Sequence, residues 1–326
     1  MTLYNRVRTP GPSGIVRDLN PPPIVLSPGV HPRIPGPLGT GGTLFVGEDG
    51  VTPVPQQSQP TVSTVNLVEP DPVFRDDVKL REVLLPLFAS DPQPGDVIQG
   101  GIANCPLAAV LVAAAHVNPQ QIKGMISETT ADVNSTSKSD SKFKKKTTKL
   151  LTVKFLKGKP VEISRLLYHD DEGDLVYAHS PNGVSWVSFI EKGYAVLRGR
   201  NSYNGLNERT QLREPPSANQ VMEDVVGSPD VILLDGAKVD DKRLRTLLKN
   251  ANTHATIAAS RNTSSEFGKI TIVAHHGYAI LAFKDKKNDK DAEVQLRNPW
   301  GGAGADITLS LKDFKAAFAA VLQATP

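Results

Sequence analysis

Gln99-Gly100-Gly101-Ile102-Ala103-Asn104-Cys105 (QGGIANC) runs directly into PLAAVLVAAAH, residues 106–116. The stretch ends in the only cysteine of the chain. The alanine-rich apolar run behind it is too long for most strands and predicts a buried helix. Pro106 fits the first helical turn, where a missing N–H costs nothing. A thiol at a helix start meets the positive end of the backbone dipole, which favours thiolate. That placement suits a nucleophile. The same residue also reads as a small buried hydrophobe, and this stretch alone does not separate the two.

The surrounding chain narrows the choice. A length of 326 residues allows one large or two ordinary domains, and 39% hydrophobic content supports a core in at least part of it. One cysteine excludes an internal disulfide framework. A net charge of +3 is too small to indicate a nucleic-acid partner. No apolar run reaches the roughly 18 residues of a membrane span. The N-terminus, MTLYNRVRTPGPSG, has no apolar run after its basic residues, so no classical signal peptide is expected. Residues 1–75 read as a proline-rich, largely disordered arm, because 14 of the 26 prolines fall at or before Pro72. Such an arm is a linker or tail, or it occludes a cleft, binds a partner or carries an export signal.

From Val73 the composition becomes globular. Residues 73–88 (VFRDDVKLREVLLPLF) show helical or mixed apolar spacing. Ser135–Lys149 holds six lysines, one aspartate and one aromatic residue, and reads as a flexible basic loop. It lacks the stacking residues of a nucleic-acid surface. Leu150–Leu156, Val161–Ile163 and Leu175–Tyr177 are short strand-like runs. Trp186–Leu197 places Trp186, Phe189, Ile190, Tyr194 and Leu197 at helical spacing. Asn201–Gly227 is polar and reads as a lobe boundary. Val231–Leu234 and Thr256–Ala259 read as strands, with a helix over Asp240–Asn250 between them.

The second chemical constellation is KITIVAHHGYAILAF, residues 269–283. Its β-branched and apolar density predicts a strand, with His275 and His276 on opposite faces. A charged loop, Lys284–Ala292, leads to EVQLRNPWG, strand-like until Pro299. Two strands around one polar loop make an antiparallel hairpin. Counting from the loop centre sets His276 opposite Asn298 to within a residue. An asparagine carbonyl beside a histidine accepts the proton on one ring nitrogen and aims the other at a thiol. Cys105, His276 and Asn298 are therefore the candidate catalytic residues, with Gln99 close by. His169 and His179 stand isolated, so no zinc cluster is expected.

These residues resemble the calpain branch of the papain-like cysteine proteases. Gln99-Gly100, three residues and Asn104-Cys105 are similar to that family's Gln-Gly-x-x-x-Asp-Cys signature. His276-Gly277-Tyr278 resembles its His-Ala-Tyr, and Arg297 to Gly301 carries its Arg-Asn-Pro-Trp-Gly unbroken. Val176–Gly199 and SLKDFKAAF, residues 310–318, extend the resemblance across about residues 75–326. It implies a papain-like α+β fold in two lobes: 76–205 with the Cys helix, and 206–326 with a β-sheet carrying His276 and Asn298. It also implies a Cys-His-Asn endopeptidase. The Gln99 amide and the Cys105 backbone N–H would form an oxyanion hole, and Trp300 would cover the His–Asn bond.

Several positions depart from the family. Asn104 stands where Asp is usual, Pro106 where Trp is usual, and Ala103 where Gly is usual. Calpain cores bind calcium, and Asp96 matches one ligand position. The acidic partner position falls near Val184, where no carboxylate stands, so no cofactor and no calcium gating are expected. A deamidase or transglutaminase-like acyl transferase on the same triad remains an alternative, as does a binding module without activity. The expected partners are a protein substrate and, through the arm, an inhibitor or immunity protein or a secretion machinery. By analogy the chain is a cytoplasmic protein of its producer that a dedicated system secretes or delivers as a bacterial toxin or effector.

Overall fold

The computed structural model describes residues 64–65, 67–73, 78–134, 145–209, 214–234 and 239–325. The readings of residues 1–63 and 135–144 lie outside them. Helix α1 (Cys105–Val117) has every residue from Cys105 to Ala115 buried. Small and branched apolar side chains on all of its faces leave no solvent stripe, so the helix forms the centre of a core. Helix α2 (Pro119–Met125) starts where the Asn118 side chain accepts the Gln121 N–H.

The chain then enters a four-stranded sheet. Its order is Thr64–Val65, Ile126–Asn134, Lys145–Val153 and Val161–Ile163. Lys145–Lys149, expected in the basic loop, are strand residues that pair with Thr130–Asn134. Thr147 and Thr148 carry the β-branching that a composition count of lysines hides. Residues 79–82 also differ from the helical expectation: Lys79–Glu82 is a strand paired with Leu166–His169. Leu175–Tyr177 forms no ladder and only an isolated bridge joins Leu175 to His169. Helix α3 (Trp186–Leu197) buries Trp186, Phe189, Ile190 and Tyr194, as its spacing predicts. Residues 67–73, which composition assigns to the arm, run along this body. The Asp71 N–H donates to the Asn201 carbonyl, and the Tyr203 N–H to that of Asp71. Glu69 pairs with the buried Lys192 and accepts from the Ser164 hydroxyl.

A six-stranded antiparallel sheet forms the other half. Its order is Asp306–Ser310, Glu293–Arg297, Gly277–Lys284, Thr256–Ser260, Phe318–Ala324 and Pro229–Leu233. The pleat sends alternate residues to two cores. Ile257, Ala259, Ala279 and Leu322 pack with α1 and with α4 (Ala218–Val225). Ala258, Tyr278, Ile280 and Val321 pack with α5 (Asp241–Lys249) and α6 (Leu311–Ala317). Helix α4 follows the sequence boundary at 205/206, yet it shares the core of α1. The result is a papain-like α+β fold in which the nucleophile helix lies on one face of the sheet. Gly277 allows that close approach: a Cβ there would lie 3.3 Å from the Cys105 carbonyl oxygen.

Candidate active site

The structure brings Cys105, His276, Asn298, Gln99 and Trp300 together. Cys105 opens α1, and its Sγ accepts the Gly277 N–H at 3.3 Å. Residues 269–283 are not one strand. Ile270–Ile272 pairs back on Ser265–Phe267, and a turn over 273–276 precedes the strand Gly277–Lys284. His275 takes φ +49° there, a left-handed conformation that costs a non-glycine residue on the order of 1 kcal/mol or more. The turn, not strand alternation, separates the two histidines.

The hairpin register also differs from the pairing of His276 with Asn298. Ala279 pairs with Arg297 and Ile280 with Leu296. Continued outward, this register sets Asn298 opposite Tyr278 and Trp300 opposite His276. The His–Asn contact is thus a diagonal on one sheet face, within reach of long side chains. His276 Nε2 and Asn298 Oδ1 are 2.9 Å apart. The Trp300 N–H donates to the same Oδ1 at 3.0 Å. A backbone N–H can only donate, so this bond fixes the amide with its oxygen toward the histidine. His276 Nε2 then carries the proton and Nδ1 is the basic nitrogen. The Trp300 ring lies against the imidazole with centroids 4.5 Å apart. The Gln99 side chain donates one N–H to the Ile102 carbonyl at 2.7 Å, which anchors it inside the nucleophile loop.

Burial governs the charges. Cys105 and His276 are 3% and 4% exposed, so little solvent is available to stabilise an ion pair. Burial pushes the Cys105 thiol well up, and the neighbouring Glu208 charge adds to this; the Gly277 N–H pulls it back only in part. Burial pushes His276 down to about 4, against the Asn298 bond. The helix start was expected to favour thiolate; burial of both groups acts in the opposite direction, toward thiol and imidazole. The cavity beside them holds about 20 Å³, room for about one water.

Two contacts escaped sequence reasoning. Asn104 donates to Glu191 Oε1 at 2.6 Å, and the Ala178 N–H donates to Oε2 at 2.8 Å. Glu191 is fully buried, and burial pushes it up to about 7. An aspartate at 104 would set two carboxyls against each other there, which gives Asn104 its reason. The second contact is the segment Asn207–Arg209, inside the stretch read as a boundary. Its Glu208 N–H donates to the Ala103 carbonyl at 2.8 Å, and Asn207 Oδ1 accepts the Ala103 N–H at 3.1 Å. Glu208 and Arg209 line the Cys105 cavity. Nothing in the residue types at 207–209 signals this contact.

Asp96 does not present its carboxylate to a cation. Oδ2 accepts from the Gln93 N–H at 2.9 Å and the Trp186 indole N–H at 3.1 Å, while Oδ1 accepts from the Asn182 amide at 2.8 Å. Val184, in the position of an acidic ligand, brings no oxygen from its side chain. This donor set does not fit a calcium ion, whose ligands are oxygens.

Residues 78–307 match the family described as calpain family cysteine protease. The chain belongs to the calpain family. Among its relatives, the calpain-like protease palB/RIM13 of Aspergillus oryzae is 29% identical over 128 residues, 38% of this chain and 14% of that protein. The calpain-like protease palB of Emericella nidulans is 28% identical over 120 residues, 37% of this chain and 13% of that protein. The chain thus matches about a seventh of the length of these relatives. Both are fungal proteins, so the expectation of a bacterial toxin or effector finds no support among them.

Proposed function

We propose that this calpain-family chain cleaves proteins through Cys105, His276 and Asn298. The observation that carries the reading is the 2.9 Å contact of His276 Nε2 with an Asn298 oxygen held by the Trp300 N–H. That contact leaves Nδ1 as the base for a thiol at the head of α1. As substrate enters, Nδ1 takes the Sγ proton and the thiolate attacks the scissile carbonyl. The second Gln99 N–H and the Cys105 backbone N–H stabilise the oxyanion, a donor of this kind contributing about 3–4 kcal/mol. His276 returns the proton to the leaving amine, and water then releases the acyl group from sulfur.

We propose further that cleavage proceeds without calcium, since the Asp96 carboxylate is committed to three N–H donors. The test is N-terminal proteomics of a protein lysate incubated with the wild-type chain, with and without EDTA, and with Cys105→Ala. New termini in both wild-type arms and none with Cys105→Ala support both proposals. Identical profiles for wild type and Cys105→Ala overturn the protease reading, and a mass gain of deamidation without new termini would replace it. Loss of cleavage in EDTA overturns only the calcium statement. No helix among the described residues is long and apolar enough to cross a membrane. Of the arm expected over residues 1–75, only 64–65 and 67–73 are among the described residues, and the partners expected of it are not tested by them.

A further inference from the structure

Glu208 is the one carboxyl that lines the Cys105 cavity. Its backbone N–H is seated on the Ala103 carbonyl, and the neighbouring Asn207 side chain accepts the Ala103 N–H. That seat fixes the side chain beside the reacting sulfur, close enough for its charge to act on the thiol. Burial alone pushes the carboxyl up to about 7, with no hydrogen bond or neighbouring charge offsetting it. The titratable groups facing the same cavity are Cys105, His275, His276 and Arg209. The thiol and both imidazoles are held toward their neutral forms by burial. Arg209 follows in the chain but forms no ion pair with Glu208. Glu208 is half-buried, and a carboxyl that lines the cavity of a nucleophile without a hydrogen bond or ion pair of its own is a candidate ligand contact.

A second small cleft borders the same side chain. Pro106, Leu107, Leu206 and Val221 line most of it together with Glu208, and Asn104 and Tyr194 also border it. An apolar wall that ends in a carboxyl matches a side chain with a hydrocarbon stem and a cationic tip. The two spaces hold only about 20 and 10 Å³, so the Asn207–Arg209 segment shifts when such a side chain enters.

Building on the protease reading, we propose that Glu208 is a specificity-determining residue that selects substrates with a lysine or arginine beside the scissile bond. The incoming cation supplies the partner that the fold withholds, and pairing holds Glu208 ionised. Selection therefore strengthens as pH rises through about 7, where Glu208 loses its proton.

The test uses pairs of peptidyl chloromethyl ketones, identical except for lysine or norleucine at the first or second residue before the reactive carbon. The rate of Cys105 alkylation is followed by intact-mass spectrometry on the full chain. The lysine probe is expected to react faster by about tenfold or more, the order of one charge-assisted hydrogen bond. Glu208→Gln should remove the ratio and Glu208→Lys should invert it toward a glutamate-bearing probe. The ratio, not the absolute rate, is the readout, so a variant of lower activity still reports. Equal wild-type rates at both positions, or a ratio that survives Glu208→Gln, overturn the proposal. Discrimination by the probes without cleavage of any protein would leave Glu208 as a binding determinant and overturn the protease reading alone.

Discussion

Two carboxyl groups stand next to the nucleophile stretch, Glu191 fully buried and Glu208 half-buried, and desolvation pushes both up to about 7. Glu191 rises from α3 and meets a complete set of donors, the Asn104 amide and the Ala178 N–H. Glu208 hangs from a loop and meets none. The same physical shift thus describes two different situations. In the first region the polar group is a strut, because each carboxyl oxygen that burial isolates has been given a proton donor. In the second it is an open valence. A perturbed pKa marks both places, and only the hydrogen-bond inventory tells which one holds the loop and which one waits for a ligand.

The largest way to break this comparison is to remove the chemistry between the two groups. Asn298→Ala should lower kcat/KM for a cleaved protein by on the order of a hundredfold, since His276 loses the acceptor that fixes its tautomer. An unchanged value would mean that the site does not use the His–Asn pair. The strut is tested next. Asn104→Asp replaces a donor with a carboxyl against Glu191 and should cost about 1–3 kcal/mol in urea unfolding at pH 8. The cost should shrink toward pH 5, because Glu191 titrates near 7 in the folded chain and is then protonated. A loss that is the same at both pH values would remove charge from the explanation. The smallest effect sharpens the open valence. The folded chain holds the Glu208 proton up to about 7, against 4.5 for an ordinary glutamate, so its ionisation weakens the fold between those values. Glu208→Gln should match wild-type stability near pH 4.5 and exceed it above pH 7, by less than about 1 kcal/mol after solvent screening. A difference independent of pH across thermal melts from pH 4 to 8 would contradict this.

The candidate site was legible in the sequence because its residues lie in three short contiguous runs: Gln99–Cys105, His276–Tyr278 and Arg297–Gly301. Helix α3, with its strong period, and α1, an apolar run too long for a strand, were equally plain. What escaped was set by partners far along the chain. The Asn104–Glu191 bond spans 87 residues and the Ala103–Asn207 bond 104, and neither end is unusual by itself. Lys79–Glu82 became a strand because the edge of Leu166–His169 offered it a ladder, which no local pattern announces. The loop centre at 288 is the midpoint of the observed pair Ala279–Arg297, and the one-residue slack that set His276 opposite Asn298 moved the register off it. A left-handed His275 before the base is a tertiary decision of the same kind.

The burial of α1 on every side has a mechanical consequence. From Cys105 to Ala115 no face is free, so displacing this helix would unseat a whole core at about 0.8 kcal/mol for each exposed CH₂. The Asn207–Arg209 segment grips the nucleophile loop by two hydrogen bonds to Ala103, each worth about 1 kcal/mol. The stiffness on the two sides of Cys105 is therefore unequal. The helix behaves as an anvil, and all the compliance that admits a peptide lies opposite it. The sulfur keeps its position while the walls around it yield.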